Sequence, residues 1–154
     1  MRTVSARVAR LYLASPAAYI AKNHALSFRG FMEREVYGKI DPALAGYFQP
    51  VEIRGPEGLE VSAAVEGQFD SSQPAPAMFG MLIGPVYRLK ITRIPRNEGY
   101  EVYPTIEVIN RLYPPQGLEN HFPIPVHFTL EELEMALSGR LVTRVIYLED
   151  PQAA

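Results

Sequence analysis

The sequence predicts a mainly β domain, an antiparallel β-sandwich or open barrel with one short capped helix, and three observations carry that expectation. From Val86 to Tyr113, apolar and polar residues alternate on both sides of the turn-forming Pro95-Arg-Asn-Glu-Gly99, the period of two expected of half-buried strands. Short β-branched or aromatic segments recur at Leu59–Val65, Met78–Ile83 and Leu141–Leu148, set apart by Gly, Pro, Asp and Ser clusters. Only residues 129–138 carry a complete set of helix start and stop signals.

A chain of 154 residues that is 47% apolar suits a single domain with a core of its own. The formal charge of -2 gives no electrostatic reason to expect nucleic acid as a partner. Charge is uneven, however. Arg2, Arg7, Arg10, Lys22 and Arg29 precede the first acid, Glu33, and the remainder is net acidic. The chain therefore divides into a basic N-terminal segment, residues 1–25, and a β-rich domain, residues 26–154.

That basic segment has two readings. A basic leader before the mildly apolar residues 11–21 has the outline of a secretory signal, interrupted by Pro16. Alternatively, Val4, Val8 and Leu11 share a face at helical spacing, and Ser15-Pro16 supplies a cap and first position for a second short helix. The second reading makes it a helical docking or anchoring segment, with Arg2, Arg7 and Arg10 turned to a partner or a membrane face. Zero cysteines exclude a disulfide framework and thiolate chemistry. No run of about 18 apolar residues predicts a membrane-spanning helix.

Taken in order, Arg34 to Tyr37 reads as a strand, and Asp41-Pro42 followed by Gly46 as a single helical turn. Val51 and Ile53, then Leu59 to Val65, flank Arg54–Gly58 and suggest a second hairpin, whose simplest register sets Glu52 against Glu60. Asp70 to Ala77 has too many breakers for regular structure and is expected to be a surface loop. Met78 to Ile83 is continuously apolar, as in a strand buried on both faces; Met78 and Met81 could form a greasy contact patch, but beside Phe79 and Leu82 gap-filling core is the plainer reading.

For the long hairpin, pairing Pro95 with Tyr100 sets Leu89 opposite Ile106, Tyr87 opposite Val108 and Arg88 opposite Glu107, apolar on one face and charge-matched on the other. Pro104 lacks a donor, so the second strand is expected to bulge there or lie at an edge. Leu112 to Gly117, with consecutive prolines, is an extended excursion. Phe122, Ile124, Val126 and Phe128 form a strand that Pro123 and Pro125 confine to an edge. Thr129-Leu-Glu-Glu132 is a capping box with Phe128 and Leu133 as its staple, and Gly139 stops the helix. Leu141 to Leu148 has so little polar relief that it is expected deep in a sheet.

Phosphate loops, nucleophile elbows, zinc-protease helices, dinucleotide fingerprints and calcium loops are all missing from the sequence. Two constellations remain. Glu119, His121 and His127 lie at even separations, so on a regular strand they share a face and form a two-histidine, one-carboxylate metal set. The plainer reading is a polar edge strand, and no cofactor is expected. Tyr37, Tyr47, Phe48, Tyr87, Tyr100, Tyr103 and Tyr113 offer rings for stacking on sugars or prolines, although tyrosines on half-buried strands ordinarily serve core and rim. Tyr103 and Tyr113 are the positions expected to be exposed. Glu131, Glu132 and Glu134 are explained by the helix cap and dipole.

Two stretches, GPVYRLKITRIPRNEGYEVYPTIEVINRLYPP and FPIPVHFTLEELEMALSGRLVTRVIYLEDPQ, resemble the body of an uncharacterised family of bacterial exported or cell-envelope proteins, over about residues 34–152. In that family similar segments continue into a longer Pro-rich part, whereas this sequence stops soon after Gln152 and has a poor signal-like start. The resemblance implies an envelope or exported setting and carries over no catalytic residue. Without it, a cytoplasmic location is equally open. The Gly-x-x-Tyr-x-Leu-x-Ile pattern at Gly84 to Ile91 is also similar to strands of immunoglobulin-like and prealbumin-like surface domains. The expectation is a non-catalytic structural or protein-interaction module within a larger assembly. A carbohydrate- or peptide-binding domain using exposed tyrosines, and a metal-dependent enzyme, are the alternatives.

Overall fold

The computed structural model describes residues 5–14 and 44–149, with residues 5–14, 148 and 149 described as backbone alone, and among the described residues two β-sheets and one α-helix enclose a common core. The strands are β1 (Ser5–Ala14), β2 (Phe48–Arg54), β3 (Glu60–Val65), β4 (Gln68–Phe69), β5 (Gln73–Pro74), β6 (Ala77–Leu82), β7 (Val86–Thr92), β8 (Tyr103–Val108), β9 (Ile124–His127) and β10 (Val142–Glu149). A 3-10 turn spans Glu119–His121, and helix α1 spans Leu130–Leu137. The large sheet runs β10-β1-β8-β7-β3-β4, with β5 also on β3, and the small sheet runs β6-β2-β9. The architecture is β-sandwich-like. Val61, Leu89, Ile91, Ile106 and Val108 of the large sheet and Val51, Ile53, Met81, Ile124 and Val126 of the small one all belong to one buried cluster.

The hairpin β7–β8 forms, but its register differs from the expected one by two residues: Tyr87 pairs with Ile106 and Arg88 with Thr105. A slip of two keeps every side chain on its face, so Leu89, Ile91, Ile106 and Val108 are still fully buried. Its cause lies in the loop. Ile94 is fully buried, so residues 93–101 form a longer connection of two successive turns, Asn97 N–H to Ile94 O at 3.0 Å and Tyr100 N–H to Asn97 O at 3.2 Å. Ile91 and Val102 exchange both backbone bonds, which by alternation aims position 104 at β7 as well. Proline has no hydrogen to give there, and the regular ladder stops at Thr105. β8 is nevertheless interior, because β1 covers its other side.

Several expectations about neighbours require correction. Residues 5–14 are a strand, not a helix: β1 lies between β8 and β10, with Arg10 in register with Glu107 and Arg7 with Tyr147. The spacing of Val4, Val8 and Leu11 suits a helix, but Val8, Leu11, Tyr12 and Leu13 suit a strand by composition, and two ready neighbours decide the matter. The expected second helix at Ser15-Pro16, the strand at Arg34 to Tyr37 and the cap at Asp41-Pro42 lie outside the described residues, as does Arg2. What is described of the turn ends at Gly46, with Tyr47 N–H on Leu44 O at 3.4 Å.

β2 and β3 do not make a hairpin, since they belong to different sheets. Val51, Ile53, Leu59 and Val61 are all fully buried in the one core, which requires the chain to cross between layers. Gly55 permits that corner: a Cβ there would lie 2.6 Å from Leu59 Cδ2 and 3.3 Å from the Phe128 carbonyl. Glu52 and Glu60 are thereby kept apart, the first paired with Arg54 and the second 3.3 Å from Arg93. β6 is an edge strand with alternating burial, not one covered on both faces: Met81 is core, whereas Met78 is exposed. β10 is likewise at an edge of the large sheet, with Leu141 and Tyr147 exposed.

Asp70 to Ala77 is a surface loop only in part: residues 70–76 are largely exposed, with Asp70 Oδ1 accepting from Ala63 N–H at 3.1 Å, but Gln73–Pro74 pairs with β3 as the short β5 and Ala77 is already buried in β6. Other readings hold. β9 is an edge strand beside Pro123, and it pairs with β2 in parallel, a relation that needs the long crossover through the large sheet. Helix α1 starts where Thr129 Oγ1 accepts from Glu132 N–H at 3.1 Å and ends in a Schellman arrangement, Arg140 N–H to Met135 O and Gly139 N–H to Ala136 O, with Gly139 at φ +92. Only the forward half of the expected capping box forms among the described residues, because the Glu132 carboxylate turns to Arg144, 3.4 Å away, and not back to the Thr129 N–H. Arg144 also donates to His127 O at 2.7 Å, tying β10 to β9 and the helix. Thr129→Ala is expected to cost about 1 kcal/mol, read from urea unfolding at unchanged slope.

Candidate functional site

Where β2 begins, the chain emerging after β8 passes beside it, and three side chains are brought together. The Arg111 guanidinium carbon lies 3.6 Å from the Tyr47 ring centroid and 4.5 Å from that of Tyr113. Arg111 Nε donates to Leu112 O at 3.1 Å, and Leu112 N–H donates to Gln49 Oε1 at 2.7 Å. Gln49 is buried, and its Nε2 donates to Pro50 O at 2.9 Å, so both ends of its amide are used. A buried amide thus holds the backbone that orients the guanidinium. Tyr113, 73% exposed, leaves most of its ring to solvent.

Beyond this stack, the 3-10 turn brings Glu119 near Arg111. Glu119 Oε1 accepts from Gly117 N–H at 3.2 Å, and the carboxyl is held below its ordinary value by its own backbone N–H, by that of Gly117 and by the Arg111 charge. A depressed folded-state value means that Glu119 favours the fold above the unfolded value near 4.5 and loses that contribution as the pH falls below it. Glu119→Gln should therefore flatten part of the acid-side decline in thermal stability between about pH 5 and 3, with no change near pH 7 in the slope of stability against pH.

The metal set expected from the sequence loses its geometric premise. Glu119 and His121 lie on the 3-10 turn, so even spacing no longer puts them on one face with the exposed His127 at the end of β9. Among the described residues, no group of three His, Asp or Glu side chains is placed to hold a metal ion. Tyr103 is half-buried on the outer face of the large sheet. Its hydroxyl bonds to Glu101, and its ring lies 5.7 Å from that of Phe69, over which Lys90 Nζ sits at 5.1 Å. Of the two tyrosines expected to be exposed, only Tyr113 stands clear.

A separate cleft of about 660 Å³ opens beside the 93–101 loop, lined among others by Glu57, Arg93, Glu98, Tyr100 and Glu101. No histidine or serine contributes to it, and Arg93 is engaged with Glu60. On the outer face of the small sheet, Phe48 is 60% exposed and lies against Gly80, and Met78 is 42% exposed two rungs along β6.

Comparison with family models, curated proteins and solved structures found no match. Function therefore has to be argued from the geometry. Among the described residues no helix is long and apolar enough to cross a membrane. Gln49 and Arg111 escape a reading of the sequence because their roles depend on a contact between residues 63 positions apart. The usable signal is an arginine two residues before a tyrosine in a strandless, proline-bounded stretch.

Proposed function

We propose that this chain is a non-catalytic structural or protein-interaction module, an accessory or assembly component at the bacterial cell envelope. The observation that carries the reading is a doubly layered frame, crossed by ion pairs from Arg93 to Glu60 and from Arg144 to Glu132, that leaves Phe48 and Met78 exposed on the small sheet and Tyr113 and Phe122 exposed on the connections. Large exposed apolar side chains are the raw material of a protein contact. The envelope setting rests on the resemblance of the two stretches between Gly84 and Gln152.

Because β1 is interior to the large sheet, removing the N-terminus tests the fold and not the contact. The informative variants are Phe48→Glu and Tyr113→Ala in the full chain in its source cells. The expected result is a shift of the native complex toward monomer size with the thermal transition within a few degrees of wild type; an unchanged complex size counts against the reading. A second reading, carbohydrate or peptide binding on exposed tyrosine, is favoured by the open ring of Tyr113. A blank glycan array at high protein concentration removes its sugar version.

A further inference from the structure

We propose that Arg111 is a preformed receptor for a carboxylate, supplied by an acidic side chain of a protein partner. The inference rests on the interaction-module reading and names the chemistry of one contact. Arg111 uses Nε on Leu112 O and its faces on Tyr47 and Tyr113; among the described residues neither Nη nitrogen has a hydrogen-bond partner, and no carboxylate lies within ion-pair distance. The terminal edge of a guanidinium carries parallel N–H groups that match the two oxygens of a carboxylate. Stacking on aromatic faces fixes the plane of the fork and suits a group already weakly hydrated.

The support of this fork is built in two steps. Gln49, buried in the sandwich, fixes Leu112, and Leu112 fixes the guanidinium. A loose surface arginine must give up side-chain freedom when it binds; here much of that cost is already met within the fold. The shape of the ligand follows from the fork. With Nε on Leu112 O and both faces covered by rings, one open edge is left, whose two parallel N–H groups are matched by the two oxygens of a planar carboxylate, whereas a phosphate would leave its remaining oxygens without a cation. The open ring of Tyr113 beside the fork suits the aliphatic stem of glutamate or aspartate.

The test is a titration of the full chain, followed for every variant by calorimetry and, where the arginine is kept, also through the shift of the Arg111 Nε–H resonance. The probes are a capped hexaglutamate peptide, a hexaglutamine peptide, an oligogalacturonate and inorganic phosphate. Expected are a saturable shift with hexaglutamate and none with hexaglutamine. Arg111→Lys, which keeps the charge but loses the fork, should weaken binding about tenfold, as for one charge-assisted bond. Glu119→Gln should strengthen it about two- to threefold. That opposite-sign variant guards against a loss caused by misfolding. No shift with hexaglutamate, equal affinity in Arg111→Lys, or no gain in Glu119→Gln overturns the proposal; tighter binding of oligogalacturonate or of phosphate overturns it in favour of a glycan or phosphate site. If hexaglutamate titrates onto Arg111 while the native complex ignores Phe48→Glu and Tyr113→Ala, the receptor stands and the wider reading falls. The converse result removes the receptor alone.

Discussion

Phe128→Ala is expected to destabilise the fold by about 3–5 kcal/mol, the range for deleting a buried ring that its surroundings cannot replace. Phe128 is fully buried and stands where three elements meet. Its N–H donates to Arg54 O at 2.9 Å, extending the β9–β2 pairing by a rung; its carbonyl borders Gly55 at the crossover; the next residue, Thr129, caps α1. The ring belongs to the buried cluster that also holds Ile53 of the small sheet, Leu59 at the crossover and Leu133 of the helix, so its loss opens a space in a core that all three share. Collapse to fill the space is opposed by the backbone bond that fixes the position. Urea unfolding should show a lower midpoint at an unchanged slope, and thermal unfolding a drop of roughly 6–20 °C for a domain of this size. Phe128→Leu keeps most of the volume and should cost clearly less. A loss below about 1 kcal/mol for Phe128→Ala would mean that this ring is not the joint between the layers.

The elements whose signals are local were legible in the sequence. Thr129 and Gly139 mark the ends of α1 through bonds to residues three or five positions away, and such bonds depend little on the rest of the chain. Alternation likewise reveals which residues of β7 and β8 face inward, because that property belongs to each strand alone. Neighbours are another matter. Whether Val51 to Arg54 folds back on residues 60–65 or crosses to another sheet depends on the Leu59 side chain and the Phe128 carbonyl both closing on Gly55, an approach with no local trace. Residues 5–14 are ambiguous between helix and strand until β8 and β10 stand on either side. The same limit governs the site: the exposed ring of Tyr113 is foreseeable from its proline-rich setting, but the Gln49 support and the second ring, Tyr47, arrive from the far end of β2. The pairing of Glu119, His121 and His127 fails for a related reason, since a 3-10 turn replaces the strand that even spacing assumes.

Ile106→Ala is expected to cost about 2–5 kcal/mol and Ile106→Val about 0.5–1.5 kcal/mol. Ile106 is fully buried at the middle of β8, with Leu11 of β1 on one side in register and Tyr87 of β7 on the other. Ile106 has a paired strand on each side and shares one buried cluster with Val51, Ile53 and Ile124 of the opposing sheet, so the surroundings have little freedom to close the hole left by truncation. The same residue distinguishes the observed register from the one that alternation alone suggests. In the fold Tyr87 faces Ile106; in the simplest hairpin it would face Val108. A double-mutant cycle should therefore give a coupling of about 0.5 kcal/mol or more between Tyr87→Ala and Ile106→Ala, exceeding that between Tyr87→Ala and Val108→Ala. The tyrosine has a second attachment, its hydroxyl accepting from Leu82 N–H at 2.8 Å, which joins β7 to the end of β6. Tyr87→Phe removes that bond while keeping the ring, so it separates the tie between sheets from the cross-strand pair. If the larger coupling falls on Val108, the buried Ile94 does not set the length of the loop, and the two-residue shift that follows from it is wrong.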